Sequence, residues 1–171
     1  MNNKIIAFPA EQGKMETKKK KSAPQGLLVI SVKLGTGCYR HLKLPQEATL
    51  EELADAILWA FDFDNDHAHA YFMDNQKWSD TNAYYMAEVD EEDEFPHTCD
   101  YTLTVLHVGQ KFKFVFDFGD EWVFDCTVLR EVAGNDSDEV EIVRQKGAPP
   151  LQYGDYEEDW DEEEPGDDDE K

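Results

Sequence analysis

The 171-residue sequence predicts one soluble domain of the α+β class, in which one main helix packs across a mixed β-sheet. Two patterns carry this prediction. Apolar and polar residues alternate over residues 27–34 and again over 112–128, with the two-residue period of a β-strand. Between them, over residues 50–61, apolar residues recur at the three- and four-residue spacing of an amphipathic helix.

The first predicted elements are a hairpin and the helix. Strands over residues 27–34 and 38–44 flank the turn Gly35-Thr36-Gly37. Thr49 and Glu52 then stand in the relation of a capping box, in which each side chain accepts a hydrogen bond from the other residue's backbone N–H. These signals predict that the helix begins at Leu50.

The middle of the chain is less regular. Residues 67–73 read as a short third strand, and residues 74–100 form a long acidic excursion that could carry another short strand over residues 83–87. Loops of this length are mobile or functional in most compact domains. Residues 101–108 are apolar and fit either a strand or a short helical turn.

A second hairpin over residues 112–129 is the centre of the predicted domain. Phe112, Phe114, Phe116 and Phe118 are expected on one face, and Gly119-Asp120 is the expected two-residue turn. The return strand follows, and residues 140–143 predict an edge strand. The order of strands and helix is similar to a β-grasp arrangement.

Composition divides the chain into three parts. Residues 1–25 are polar and rich in lysine and predict a disordered arm, residues 26–153 form the α+β domain, and residues 154–171 predict a disordered acidic tail. Of the formal net charge of -23, the tail carries twelve Asp or Glu and one Lys.

The charge balance favours a protein partner. Net negative charge repels nucleic-acid phosphates and anionic membranes, so direct nucleic-acid binding is disfavoured, even with the lysine run 18–21. The tail could instead dock on a basic protein. We expect a cytoplasmic protein without membrane contact, because the sequence contains no long apolar segment, no leader and no paired cysteine motif.

No catalytic or cofactor-binding residues are predicted, and the candidate metal ligands are few. In an extended segment, His67 and His69 would project from the same face and could bind one divalent metal. Asp117 and Asp120 are the main candidates for the remaining ligands, with Asp64 and Asp66 as further ones. The alternative is that the two histidines line a polar face or the entrance of a strand.

Several stretches resemble one family, the plasmid pRiA4b ORF-3-like proteins, also labelled TnpR-like passenger proteins of an insertion element. They are CYRHLKLP, ATLEELADAILWAFDFDNDHAHAYF, FKFVFDFGDEWVFDCTVL and GAPP, which cover about residues 27–153 in order. The resemblance implies an α+β fold, no established activity and a link to plasmids or transposons.

The sequence departs from that family at two places. Relatives usually carry a histidine at the position of Phe124, and often an acidic or cysteine-containing segment at the position of Leu151-Gln152-Tyr153. A site that depends on that histidine in relatives would be incomplete here. The TnpR label suggests recombination, but the sequence has no serine-recombinase nucleophile motif and no basic DNA-binding helix.

Three functions remain open at this stage. The first is a non-catalytic interaction domain that uses the sheet face, residues 74–100 and the tail to bind a protein. The second is a metal-dependent enzyme built on His67, His69, Asp117 and Asp120. The third is a mobile-element accessory that mimics nucleic-acid charge toward a basic protein.

Overall fold

In the computed structural model, residues 5–7, 26–134 and 139–153 are described. The predicted acidic tail and most of the predicted arm lie outside these ranges. Within the arm, Ile5–Ala7 forms a short strand that pairs with residues 139–141, a pairing that the lysine-rich composition did not predict.

The described residues form one sheet of eight strands with one α-helix, which confirms the α+β class. The strands are β1 Ile5–Ala7, β2 Leu27–Lys33, β3 Tyr39–Pro45, β4 His69–Phe72, β5 Ala83–Tyr85, β6 Lys111–Phe116, β7 Trp122–Val132 and β8 Glu139–Lys146. Their order across the sheet is β1-β8-β3-β2-β7-β6-β4-β5. Each neighbouring pair is antiparallel, so the prediction of a mixed sheet is wrong, and the β-grasp topology is not confirmed.

The helix, α1, spans Leu50–Ala60, and its start confirms the predicted capping box. The Thr49 hydroxyl accepts a hydrogen bond from the Glu52 N–H at 3.0 Å, and the Glu52 carboxylate accepts one from the Thr49 N–H at 2.9 Å. At the other end, the buried Arg40 donates from Nε to the carbonyl of Ala60 at 3.0 Å, which satisfies one of the last helical carbonyls.

Helix α1 packs against one face of the sheet and forms the main core with it. Alternation places every second residue of the long strands on this face, where Leu28, Ile30 and Val32 of β2 meet Phe124, Cys126 and Val128 of β7. No helix among the described residues is long and apolar enough to cross a membrane.

The loop between β6 and β7 corrects the predicted turn. Phe116 pairs with Trp122, so the connection has five residues, and the left-handed conformation falls on Asp117 (φ 68°) and Glu121 (φ 54°) instead of on Gly119. The turn at Asp117 interrupts the alternation. Phe118 therefore lies on the face opposite α1, against Trp78 at 5.1 Å between ring centroids, while Phe112, Phe114 and Phe116 are in the main core.

Residues 74–100 cover part of the sheet face opposite α1. They contain β5, which confirms the short strand predicted there, and they bring Trp78 and Phe95 onto a small apolar cluster around Ala70, Phe72 and Val115. The following apolar segment forms a short 3-10 turn, Leu103–Val105, instead of a strand. The rest of that sheet face, formed by β8, β3, β2 and β7, carries mainly polar and charged residues instead of an apolar cluster.

Candidate functional site

His69 lies in the interior of the protein. Its side chain is on the α1 side of the sheet, between the rings of Tyr71 and Phe114, and Nε2 is 2.9 Å from the Thr98 hydroxyl. Burial lowers the pKa of His69 to about 4, because the charged imidazolium loses its hydration. The imidazole is therefore neutral at physiological pH and is held by a hydroxyl.

His67 lies outside the strand, at the rim of the sheet. Nδ1 is 2.9 Å from Asp66 Oδ1 and 3.6 Å from Asp117 Oδ2. The hydroxyl of Tyr153 donates to Asp66 Oδ2 at 2.5 Å, which lowers the pKa of Asp66 and raises the pKa of Tyr153 to about 12. We call His67, Asp66, Asp117 and Tyr153 the His67 cluster.

The carboxylate of Asp117 is already used by its own loop. It is buried, and Oδ1 accepts hydrogen bonds from the N–H groups of Gly119 and Asp120, both at 3.2 Å. The backbone N–H of Asp117 donates to the carbonyl of Ala68 at 2.8 Å. These contacts hold the left-handed turn, so the carboxylate has a structural role in closing the hairpin.

The four predicted metal ligands are not brought together. His67 and Asp117 are close, His69 faces the core, and Asp120 is exposed and contributes its N–H to Asp117. Of the further candidates, Asp66 joins His67, whereas Asp64 binds Gln152 through its backbone. Among residues 26–134 and 139–153, no group of three or more His, Cys, Asp or Glu has a geometry that could hold a metal ion.

A positively charged surface occupies the part of the sheet face opposite α1 that residues 74–100 leave open. The described residues contain nine Lys and Arg. Directly paired residues of neighbouring strands point to the same side of a sheet. By this register, seven of the nine lie on the face opposite α1. We call this surface the basic face; its cations are Lys33, Lys43, Lys111, Lys113, Arg130, Arg144 and Lys146. The other two, Arg40 and Lys77, lie in the core and on the excursion.

The basic face consists of three rows that run across the strands. The first row, in spatial order, is Lys146, Tyr39, Lys33, Asp125 and Lys113. The second row is Arg144, His41, Ser31, Thr127 and Lys111. The third row is Glu141, Lys43, Val29 and Arg130. Alternation along β8 adds Glu139 to this face, so three carboxylates accompany the seven cations.

Most cations of this face are free of ion pairs with described residues. Lys43 lies 3.4 Å from Glu141, and Lys113 lies 2.7 Å from Asp125. Lys33, Lys111, Arg130, Arg144 and Lys146 form no ion pair with any residue of 26–134 or 139–153, and all five are exposed. They are available to an external anionic group.

His41 lies beside Arg144 in the second row, and its pKa responds to the positive charge of this surface. Its pKa is lowered, first because the imidazole is partly buried and then because Arg144 and Arg130 repel the added positive charge. Its ring also packs against Tyr39, with 5.0 Å between centroids. The face therefore combines positive charge with a pair of rings in contact.

The sequence contains a signal for this surface that motif analysis missed. Tyr39, His41 and Lys43 alternate with core residues in β3, as Lys111 and Lys113 do in β6. Each strand taken alone reads as an ordinary solvent-facing edge. The concentration of cations becomes visible once the strand order places these edges side by side.

Comparison with known proteins settles the family. The sequence profile described as "Plasmid pRiA4b ORF-3-like protein" matches residues 29–160, which is most of the chain. The chain belongs to the plasmid pRiA4b ORF-3-like family. The pRiA4b ORF-3-like profile covers α1, the His67 cluster and the basic face. No curated protein matches the chain.

A solved structure has a similar fold. It is the crystal structure of a protein of unknown function from Methanosarcina mazei Go1, with a TM-score of 0.57 and 17% sequence identity. The similarity covers 68% of this chain and 66% of that protein. At this level of sequence identity, the similarity shows a shared fold alone.

The structure describes both positions at which the sequence is expected to depart from the family pattern. Phe124 is fully buried on the α1 side, in ring contact with Phe61 at 5.2 Å and Phe114 at 5.5 Å. Gln152 and Tyr153 bind Asp64 and Asp66, as described above. Here one departure fills the core and the other fastens the end of the described chain to the rim of the sheet.

Proposed function

We propose that this protein is a non-catalytic interaction domain that binds an acidic segment of a partner protein on its basic face. The observation that carries the proposal is the location of seven of the nine described Lys and Arg on one side of the sheet, in a chain of net charge -23. Such segregation produces a local field opposite in sign to that of the whole molecule.

A protein partner fits this charge distribution better than a nucleic acid. Nucleic acids present phosphates of one sign along their length, so the acidic remainder of this molecule opposes their approach. A protein can match an acidic segment to the basic face and basic residues to the surrounding acidic surface. The acidic tail offers a second contact, to a basic region of a partner.

The family name supports the cellular setting of the proposal. Membership of the plasmid pRiA4b ORF-3-like family favours an accessory role for a plasmid or transposon, exerted in the cytoplasm through a protein of that element. The basic face supplies the contact for such a role without any catalytic group.

Charge reversal tests the proposed function in the natural host. We expect that partners captured by the full-length protein are lost from the variant Lys33→Glu, Arg144→Glu, Lys146→Glu, whose changes are all at exposed positions. The matched control is Lys77→Glu, an exposed cation of the excursion, which should retain them. Equal capture by both variants, or capture that nuclease treatment abolishes, would overturn the proposal.

A metal-dependent enzyme is the second candidate, favoured by the position of His67 between the carboxylates of Asp66 and Asp117. If the protein is such an enzyme, the purified protein should contain stoichiometric zinc or manganese. The metal should be lost in His67→Ala and retained in His107→Ala, a control at an exposed histidine. Metal-free protein whose melting temperature does not change on adding either ion would reject this candidate.

A further inference from the structure

We propose that the basic face binds the chain's own carboxyl-terminal residues 154–171, so that this tail competes with an acidic partner. The inference rests on the proposed function, because it gives the same surface a resident ligand. It also turns an interaction surface into a regulated one, since a partner gains access as the tail is displaced.

Charge complementarity is the first argument. Residues 155–171 contain twelve Asp or Glu and one Lys, the densest negative charge in the chain. Five cations of the basic face are exposed and form no ion pair with a described residue: Lys33, Lys111, Arg130, Arg144 and Lys146. The tail also contains the aromatic residues Tyr156 and Trp160, and the basic face presents the adjacent rings of Tyr39 and His41.

The second argument is the position at which the described chain ends. After β8, Ala148 accepts a hydrogen bond from the Cys38 thiol, and Tyr153 is held by Asp66. The segment 147–153 therefore runs along one end of the sheet, from Lys146 at the end of β8 to the His67 cluster beside β4 and β6. The first row of the basic face, which includes Lys146, Lys33 and Lys113, lies at this same end, so the tail begins at the end of the sheet that carries its proposed site.

The tail is long enough to cover the face. Eighteen residues span up to about 60 Å when extended, at about 3.3 Å per residue. The first and third rows of the face are separated by about 13 Å along a strand. Because the tail is attached, its effective concentration at the face is on the order of millimolar, which favours even weak ion pairs.

The lysine run 18–21 is the competing intramolecular site for the tail. The basic face is the stronger candidate because its cations are held in register by a sheet and act together on His41. A run of four consecutive lysines would attract an acidic segment by its charge alone.

Zero-length carbodiimide cross-linking of the full-length protein, read by mass spectrometry, tests the proposal directly. Monomeric protein at low salt should show cross-links from residues 155–170 to Lys33, Lys111 and Lys146. About fivefold fewer should form near 1 M salt, where screening acts within about 3 Å. The ion pairs Lys43–Glu141 and Lys113–Asp125 provide internal positive controls.

The distribution of these cross-links decides between the sites. Lys77, which is exposed and lies on the excursion, is the matched negative control. Tail cross-links that fall mainly on Lys18–Lys21, that reach Lys77 as often as Lys33, or that form only between two molecules would overturn the proposal.

A binding experiment separates failure of this inference from failure of the proposed function. The probe is a fluorescent deca-glutamate peptide, added to wild type and to a full-length variant whose twelve tail carboxylates are replaced by Asn and Gln. We expect at least about tenfold tighter binding to the neutral-tail variant, because the resident competitor is absent.

Two contrary outcomes have different meanings. Equal affinity for both proteins would show that the tail does not occupy the basic face and would reject this inference alone. No binding to the neutral-tail variant, or binding unaffected by Lys33→Glu, Arg144→Glu, Lys146→Glu in that variant, would reject the proposed function as well.

Discussion

At the scale of single residues, His69 couples the stability of the core to pH. Its imidazole is 2% exposed and has a hydroxyl partner in Thr98, so protonation places a charge where water does not reach. The pKa falls from 6.5 to about 4 on folding. As pH falls, the unfolded chain therefore binds the proton at a higher pH than the folded protein does. The contribution of the neutral His69 to the free energy of unfolding is complete above pH 6.5 and is lost as pH falls toward 4.

We expect the titration of His69 to lower the free energy of unfolding by about 2 kcal/mol as the pH falls from 7.5 to 5. Denaturant unfolding of wild type and His69→Gln over that range measures the contribution, because the Gln amide cannot titrate. The wild-type curve should slope more steeply than the variant, while the exposed His107→Gln keeps the wild-type slope. Parallel curves for wild type and His69→Gln would contradict a buried neutral imidazole.

The two histidines also show what residue spacing can predict. A spacing of two places side chains on one face where the backbone is extended. Strand β4 begins at His69, so His67 precedes it and turns toward Asp66 and Asp117 at the rim. The boundary of a strand depends on its neighbours, here β6 and β5, and the local sequence contains no signal for it.

At the scale of elements, α1 was the most predictable part of the fold. Its capping box, acidic first turn and apolar stripe are all local features of residues 49–61, and the structure contains each of them. Phe118 shows the opposite case. The left-handed turn at Asp117 moves its ring to the other sheet face, and alternation alone cannot reveal a change of backbone conformation.

The capping box makes a measurable contribution to α1. Thr49→Ala removes the acceptor for the Glu52 N–H, and we expect a loss of about 1 kcal/mol in the free energy of unfolding. Thr36→Ala, at the exposed tip of the first hairpin, is the matched control and should change stability by less than about 0.5 kcal/mol. Equal effects would mean that the cap is not formed in solution.

The Gly147-Ala148-Pro149-Pro150 stretch has a physical explanation at the same scale. Gly147 has a φ of 86°, and a Cβ there would overlap the carbonyl oxygen of Gly37 and lie 2.9 Å from Cys38 Cα. The glycine therefore allows the chain after β8 to pass closely over the first hairpin. This close approach directs residues 148–153 along the end of the sheet.

Alanine at this position tests that explanation. We expect Gly147→Ala to lower stability by about 2 kcal/mol or more, from both the positive φ and the overlap with backbone. Gly35→Ala has a similar φ of 75° but open space around it, so it isolates the conformational cost of about 1 kcal/mol. Chemical denaturation compares the two, and equal losses would contradict the close packing at Gly147.

At the scale of the whole molecule, the separation of charge is the feature with the clearest functional meaning. Composition indicated a strongly acidic protein with its negative charge densest in residues 155–171, and strand order collects most of the described cations on one face. The positions of Lys33, His41, Lys111 and Arg144 come together only through pairings between strands that are distant in sequence. Such pairings are set by the complete fold, which is why the sequence alone did not reveal the basic face.

The most direct test of the basic face is the pKa of His41, measured by NMR in the full-length neutral-tail variant with and without deca-glutamate. Bound carboxylates would offset the repulsion from Arg144 and Arg130, so the account predicts a rise in the pKa of His41 on adding the peptide. The ring resonances of His97, which lies 3.0 Å from Asp90 on the excursion, should not move when the peptide is added. An unchanged pKa of His41 under conditions where the peptide is bound, or an equal perturbation of the His97 resonances, would contradict binding at this face.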